Sequence, residues 1–429
     1  MQADKGENRV METMRSFDRI IGYEAIKEEL MRLCDTLKNT EKYRRMGAVS
    51  PRGLMIYGLP GLGKTEMAKC VLTESGRKSF IIRRDRADSE FIDRIREVFK
   101  EAREAAPSIV LLDDLDKFVD EGSTKEYSSV QACMDDCRDY DVFVIATANF
   151  ADNIPFSLLR AGRLEKQIEV YYPKEADAVK IVEYYLKDKE IADDIEPEEI
   201  ARLISGSSCA QLEIILNEAA VYAGYSGRAC ANRQDILRAC IRYRCGSPMV
   251  CFCEDTPALE MVAIHEAGHA VVAEILKPES VNYAYACINA RGKSGQVYYR
   301  SCKEEKTWED RENDLIIGLA SKAATEVVKG VVDTGCNHDL QDAFTIAEEL
   351  VDNYCSFGFT TFKRNSSSSY LISEKEHVVS SEVSRCYLRA KKILTDNRRL
   401  LDAVISALKA KNIITYKEIA EIKRNTGVA

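Results

Sequence analysis

The chain has 429 residues, 45% of them hydrophobic and 31% charged, which is enough for two or three domains with real cores. A net charge of -9 argues against a dedicated nucleic-acid binder, whose affinity rests on clustered Lys and Arg, so nucleic acid is not an expected partner. The longest apolar runs are strand-sized, short of the roughly 20 residues of a membrane helix, and the 15 cysteines follow no disulfide-scaffold spacing and no secretory leader; the chain reads as a reduced, soluble, cytoplasmic protein with no membrane span of its own.

After a polar segment, residues 1–16, helical and apolar stretches alternate. Residues 54–57, 80–82, 109–112 and 142–146 are continuously apolar, as strands covered on both faces of a parallel sheet must be. Amphipathic stretches such as 88–105 separate them, so the first half predicts a doubly wound α/β layer.

Directly after the first strand comes Gly58-Leu59-Pro60-Gly61-Leu62-Gly63-Lys64-Thr65, followed by Glu66 at the start of the next helix. In that strand-to-helix setting the loop cradles phosphate: backbone N–H groups close around the oxygens, Lys64 reaches the outer phosphates, and Thr65 can ligate magnesium. The third strand ends in Asp113-Asp114, the first placed to hold the magnesium and the second to orient an attacking water. Together these residues predict binding and hydrolysis of ATP with Mg2+.

The fourth strand runs into Ala146-Thr147-Ala148-Asn149, followed by Leu158-Leu159-Arg160-Ala161-Gly162-Arg163. Here the chain resembles the AAA+ ATPases. The resemblance implies that Asn149 positions water near the γ-phosphate, that Arg160 and Arg163 reach the nucleotide of a neighbouring subunit, and that Ile21 and Gly22 lie against the adenine. Arginines supplied in trans make catalysis depend on a homo-oligomer. Residues 17–172 would form the large nucleotide-binding domain, and 173–244, with Gly206-Ser207-Ser208-Cys209-Ala210-Gln211-Leu212 opening a helix, the helical lid. Residues 245–257 break the periodicity and read as a linker. The pairs Cys251 and Cys253, or Cys133 and Cys137, are weaker metal candidates, since neither has a matching second pair.

The second half, 258–429, opens with His265-Glu266-Ala267-Gly268-His269 in an apolar-periodic run. Four residues apart on a helix, the two imidazoles share one face, and Glu266 lies on the flank. That is a zinc half-site with a base attached: a third protein ligand must come from elsewhere, and a fourth position holds water that Glu266 can deprotonate. Downstream, 291–295 reads as a turn before a strand at 297–299, an edge along which substrate peptide could pair. The remainder is mainly helical, with helices at 309–329, 339–354 and 377–397, two short helices at the end, and a serine-rich loop at 365–369.

An ATPase, then the HEAGH helix, then Thr334-Gly335-Cys336-Asn337-His338-Asp339-Leu340 is an order that closely resembles the FtsH family of ATP-dependent zinc metalloproteases. The resemblance implies an α/β P-loop ATPase domain of parallel sheet and helical lid, followed by a mainly α-helical zinc metallopeptidase domain. It implies Asp339 as the third zinc ligand, with His338 beside it as a competitor and Glu326 near the site as a supporting residue. Read from the residues alone, an aspartate at a helix start is an N-cap. Zn2+, ATP and Mg2+ are the implied cofactors, polypeptides the substrates, and a hexamer the assembly.

Three departures stand beside the resemblance. The family begins with membrane-spanning helices and this chain has none; Asp114 replaces a glutamate; and the segment 86–93 is shorter than the family's pore loop and lacks its aromatic-Val-Gly, leaving Phe91 as the aromatic available to grip substrate. The sequence thus predicts an ATP-dependent zinc endopeptidase of unfolded proteins. Its rivals are an AAA+ remodeller or scaffold with weak ATPase and little proteolysis, and an ATP-independent zinc peptidase.

Overall fold

In the computed structural model the described residues are 16–84, 88–119, 124–192, 195–245, 256–289, 292–300, 306–354, 357 and 369–427. Outside them lie the N-terminal segment 1–15, Arg86 and Ala87 of the shortened loop, residues 246–255 of the linker with Cys251 and Cys253, Arg291, and Asn365 to Ser368 of the serine-rich loop. The chain divides into two compact units, 1–232 and 233–429.

Unit 1 begins with helices α1 (Glu24–Lys38) and α2 (Thr40–Arg45). Then β1 (Gly53–Tyr57), α3 (Lys64–Ser75), β2 (Lys78–Ile82), α4 (Asp88–Glu104), β3 (Ser108–Leu112), α5 (Thr124–Asp136), β4 (Val142–Ala148) and β5 (Lys166–Glu169) alternate. Helices α6 (Glu175–Leu186), α7 (Pro197–Leu203) and α8 (Cys209–Tyr225) follow. The strands form one parallel sheet in the order β2-β3-β4-β1-β5. Strands β3 and β4 are buried throughout because helices cover both faces, which is why they read as unbroken apolar runs. Strand β5 is an addition to the four strands expected: only Ile168 of its four residues is buried, so it carries no apolar run. Helix α4 lies close to its expected span, but Phe91 is fully buried and packs edge-on to Phe118 at 5.0 Å. The expectation that Phe91 could grip substrate is therefore corrected. It recurs with Ile95, Val98, Phe99 and Ala102 at helical spacing and belongs to the core.

Unit 2 contains α9 (Arg233–Cys245), α10 (Pro257–Leu276), β6 (Val281–Asn289), β7 (Gly292–Tyr299), α11 (Trp308–Gly318), α12 (Ala320–Lys329), α13 (Asn337–Asp352), α14 (Ser369–Asp396), α15 (Arg398–Lys411), β8 (Ile413–Thr415) and α16 (Tyr416–Thr426). Helix α10 is the spine: Thr256 caps it by accepting from the Leu259 N–H, Pro257 sits in the first turn, and most of its length is buried in the unit's core. The three strands form an antiparallel sheet, β7-β6-β8, leaving β7 at an edge. Strand β7 starts earlier than expected: Gly292 pairs with Asn289 and Gly295 with Ala286, so the stretch read as a turn is strand from Gly292 onward. The expected helix 309–329 is broken at Leu319 into α11 and α12. No helix among the described residues is long and apolar enough to cross a membrane.

Candidate functional site

The parallel sheet delivers its chemistry at the carboxyl ends of its central strands, as open α/β sheets do. The loop from Gly58, Pro60 and Gly61 to Gly63 leaves β1 and leads into α3 at Lys64; Leu62 packs inward. Asp113 and Asp114 follow β3, and Asn149 follows β4. Lys64 Nζ donates to Asn149 Oδ1 and to the Leu59 carbonyl, both at 2.9 Å. Asp113 Oδ1 accepts from Thr65 Oγ1 at 2.9 Å and from Thr147 Oγ1 at 2.8 Å, and its Oδ2 takes both Nε (3.0 Å) and Nη2 of Arg83. Burial works to raise the Asp113 carboxyl, but these donors, Arg83 first, hold it below the usual carboxylate range. Asp114 sits in a left-handed conformation, its N–H donated to Thr147 Oγ1 and its Oδ2 held by Lys117 Nζ at 2.6 Å. Asp116 accepts the Asn149 N–H at 2.8 Å and so fixes the loop that carries that residue.

Glu66, in the first turn of α3, lies 3.9 Å from Arg19, which precedes Ile21 and Gly22. The residue after them, Tyr23, donates its N–H to Asp177 Oδ1 (3.0 Å) and its hydroxyl to the Tyr171 carbonyl (2.9 Å). Ala210, at the start of α8, donates its N–H to the Gly61 carbonyl at 3.1 Å, so the phosphate-binding loop touches the lid segment picked out in the sequence. The two arginines differ. Arg160 is exposed, its guanidinium 5.6 Å above the Phe156 ring. Arg163 is buried, bonded to both Asp135 oxygens at 3.0 and 2.8 Å and to the Ser157 carbonyl at 2.5 Å. To reach a neighbour it would have to give up all three.

In unit 2 the structure brings His265, His269 and Asp339 together, with donor atoms all within 4.8 Å of one another. His265 Nε2 is 3.1 Å and His269 Nε2 3.5 Å from the same atom, Asp339 Oδ2. Tetrahedral zinc with bonds near 2.05 Å separates neighbouring ligand atoms by about 3.3 Å, so the donor set and its spacing fit zinc. His269 Nδ1 donates to the Ile317 carbonyl at 2.7 Å, which fixes the tautomer and directs Nε2 at the cluster. Asp339 is drawn well below the carboxylate range: burial acts to raise it, and bonds from His265, His269 and Ser321 outweigh burial.

Glu266 lies beneath the edge strand, with Oε1 4.0 Å from His265 Nε2. Burial, opposed by the two imidazoles, pushes its carboxyl up to about 7. A Cβ on Gly295 would stand 2.5 Å from Glu266 Oε1 and 2.7 Å from Val262 Cγ1, so any side chain there would have to push the Glu266 and Val262 side chains from their places under β7.

His338 points elsewhere: it is 83% exposed and 3.9 Å from Asp342, which removes it as a competing ligand. Glu326 is bonded to Lys322 at 2.7 Å and to Lys391 at 2.8 Å, which hold it down at about 2, and the supporting place it was expected to fill belongs to Ser321, whose hydroxyl donates to Asp339 Oδ2 at 2.8 Å. Sequence reasoning missed Ser321, the Ile317 carbonyl, Arg83, Lys117 and Asp116. A second donor group, Glu312, Glu382 and Cys386, meets the same distance limit, but Arg385 and Arg389 neutralise its carboxylates, and it is an ion-pair network. Cys133 and Cys137 lie in the unit 1 core, in no donor cluster among the described residues.

A P-loop nucleotide-binding unit followed along one chain by a helical unit with a histidine–histidine–aspartate metal geometry defines the class: the architecture of a nucleotide-binding domain fused to a metallopeptidase-like domain. Residues 54–172 match the ATPase family associated with various cellular activities (AAA), and 255–422 match peptidase family M41. Over 96% of its length the chain is 31% identical to ATP-dependent zinc metalloprotease FtsH 2 of Phytoplasma mali, covering 63% of that protein. Over 95% it is 30% identical to FtsH of Aster yellows witches'-broom phytoplasma, covering 64%, and over 95% it is 30% identical to FtsH 3 of Sphaerobacter thermophilus, covering 87%. The chain thus spans less than two thirds of the two phytoplasma relatives. It belongs to the FtsH family of ATP-dependent zinc metalloproteases.

Proposed function

We propose that the chain is an ATP-dependent zinc endopeptidase of unfolded or loosely folded polypeptides, acting in the cytoplasm as a homo-oligomer, a hexamer by family analogy. The observation that carries the reading is the convergence of His265, His269 and Asp339 at zinc spacing with buried Glu266 beside them. Zinc in that site would supply a place for water and polarise a peptide carbonyl. Glu266 takes a proton from the water and returns it to the leaving amine, a role its place beside the cluster, with Oε1 4.0 Å from His265 Nε2, allows. Strand β7, an edge strand among the described residues, offers backbone groups to an extended substrate. In unit 1, Lys64, Thr65 and Asp113 hold the phosphates and magnesium, Asn149 and Asp114 position water, and Arg160 reaches a neighbour's nucleotide. The proposed domains are 17–172, 173–244 and 258–429.

A second reading, a remodeller with slow ATP turnover, draws support from two observations. Asp114 is one methylene shorter than glutamate and is tied to Lys117, and Phe91 is buried where a gripping aromatic was sought. Digestion of an unfolded protein and of a short peptide, each with and without ATP, separates these readings. Loss of ATP-stimulated protein cleavage in Glu266→Gln and on zinc chelation is the expected result; cleavage unchanged by either would rule out the site.

A further inference from the structure

Strands β2 and β3 pair in register, Ile82 with Leu112, so the residues just past their ends, Arg83 and Asp113, emerge side by side. The Asp113 N–H is donated to the Ile82 carbonyl at 2.9 Å, which locks the two exits together. Asp113 is buried, 1% exposed, while the Arg83 side chain is 59% exposed. The guanidinium gives two N–H groups to Oδ2, while Oδ1 accepts from Thr147 and from Thr65, the hydroxyl that the phosphate-loop motif assigns to magnesium. The next residue, Arg84, donates to the Lys117 carbonyl at 3.0 Å, and Lys117 in turn holds Asp114. Both carboxylates after β3 are therefore covered by basic side chains of the same chain.

A buried carboxylate without a counter-charge is strongly destabilising, whereas an exposed guanidinium returns to water at little cost. The two partners of this pair are thus unequally bound to it, and a divalent ion at Asp113 can exchange places with Arg83. We propose that Arg83 is a positioning residue, a resident counter-cation that occupies Oδ2 of Asp113 and is exchanged for magnesium when nucleotide binds. The inference rests on the nucleotide-binding reading of unit 1. It has two consequences. Without magnesium, Arg83 neutralises Asp113 and spares incoming phosphates its repulsion. With magnesium, the ion must displace a charge-assisted contact, so more of it is required.

The test uses the full chain and a fluorescent ATP analogue, with anisotropy read while magnesium is titrated from an excess of chelator. In Arg83→Gln the concentration of magnesium giving half-maximal tightening falls severalfold, and the ratio of magnesium-free to magnesium-saturated Kd widens about tenfold, the low end of what a hydrogen bond to a charged group contributes. Arg83→Lys, which keeps the charge but not the fork, falls between the two and supplies the reading should the glutamine variant not fold. Binding by both variants with both quantities within twofold of the unsubstituted chain overturns the proposal and leaves the ATPase reading standing. No nucleotide binding by any of the three overturns both.

Discussion

Asp339 Oδ2 serves three groups: the Nε2 atoms of His265 and His269 and the hydroxyl of Ser321. When a metal draws the imidazoles, Ser321 is the side chain left to hold the carboxylate in place. It can do so because it is fully buried on α12 and cannot turn to solvent. Ser321→Ala should therefore weaken zinc binding by about 10- to 100-fold, as losses of outer support do, measured by competition with a chromogenic chelator. An unchanged zinc affinity in the folded variant would remove Ser321 from the site. Nothing in the sequence points to this residue, which lies 18 positions before Asp339 in no motif. Arg83 was equally hidden, because its partner is set by the register of two strands and not by local spacing. The residues that were legible, such as Lys64, Asp113, His265 and His269, are those whose chemistry needs a fixed local spacing.

Helices α10 and α12 cross at Gly268, where an added Cβ would meet the Ala320 carbonyl oxygen and Ala324 Cβ, both at 2.6 Å. The glycine between Ala267 and His269 is thus a packing residue as well as a spacer. Small residues on both helices, Ala263, Ala267, Ala320, Ala323 and Ala324, allow the approach, and it brings His269 of α10 within reach of the Ile317 carbonyl just before α12. Gly268→Ala must push the helices apart. Overpacking of this kind costs about 1–3 kcal/mol, to be read from urea unfolding, and zinc affinity should fall with it. Unchanged stability would mean that the crossing yields freely. Elements with sustained apolar runs or periodicity were readable in advance: strands β1 to β4, α4 and α10, although β2 is an edge strand with Ile81 exposed and is not covered on both faces as its apolar run implied. Strands β5 and β8 were not readable, because four and three residues are too short to show a period, and β8 exists only through its pairing with Tyr283, Ala284 and Tyr285 of β6. Phe91 was misread although the signal was present, since Ile95, Val98 and Phe99 mark the buried face of its helix.

At the scale of the whole molecule, Lys64 and Arg160 together test whether one chain could hydrolyse ATP alone. Lys64 is buried in its own phosphate loop, whereas the Arg160 guanidinium lies over Phe156 on the surface and makes no ion pair among the described residues. If Arg160 acts on a neighbour's nucleotide, the two substitutions damage different partners of one interface. Lys64→Ala leaves a chain that cannot hold phosphate but still offers its arginine. Arg160→Ala leaves a chain that holds nucleotide and lacks only the arginine from next door. Each alone should lose ATPase activity by about a hundredfold or more, with nucleotide affinity kept only in Arg160→Ala. Co-expressed in equal amounts and purified through two tags, the chains should regain activity, because about a quarter of the interfaces in a randomly mixed head-to-tail ring pair an intact pocket with an intact arginine. Protein cleavage should return with it, and peptide cleavage should stay constant throughout. A mixture no more active than its parts would place Arg160 outside the reaction, and the three bonds that bury Arg163 in its own chain leave that residue poorly placed to substitute.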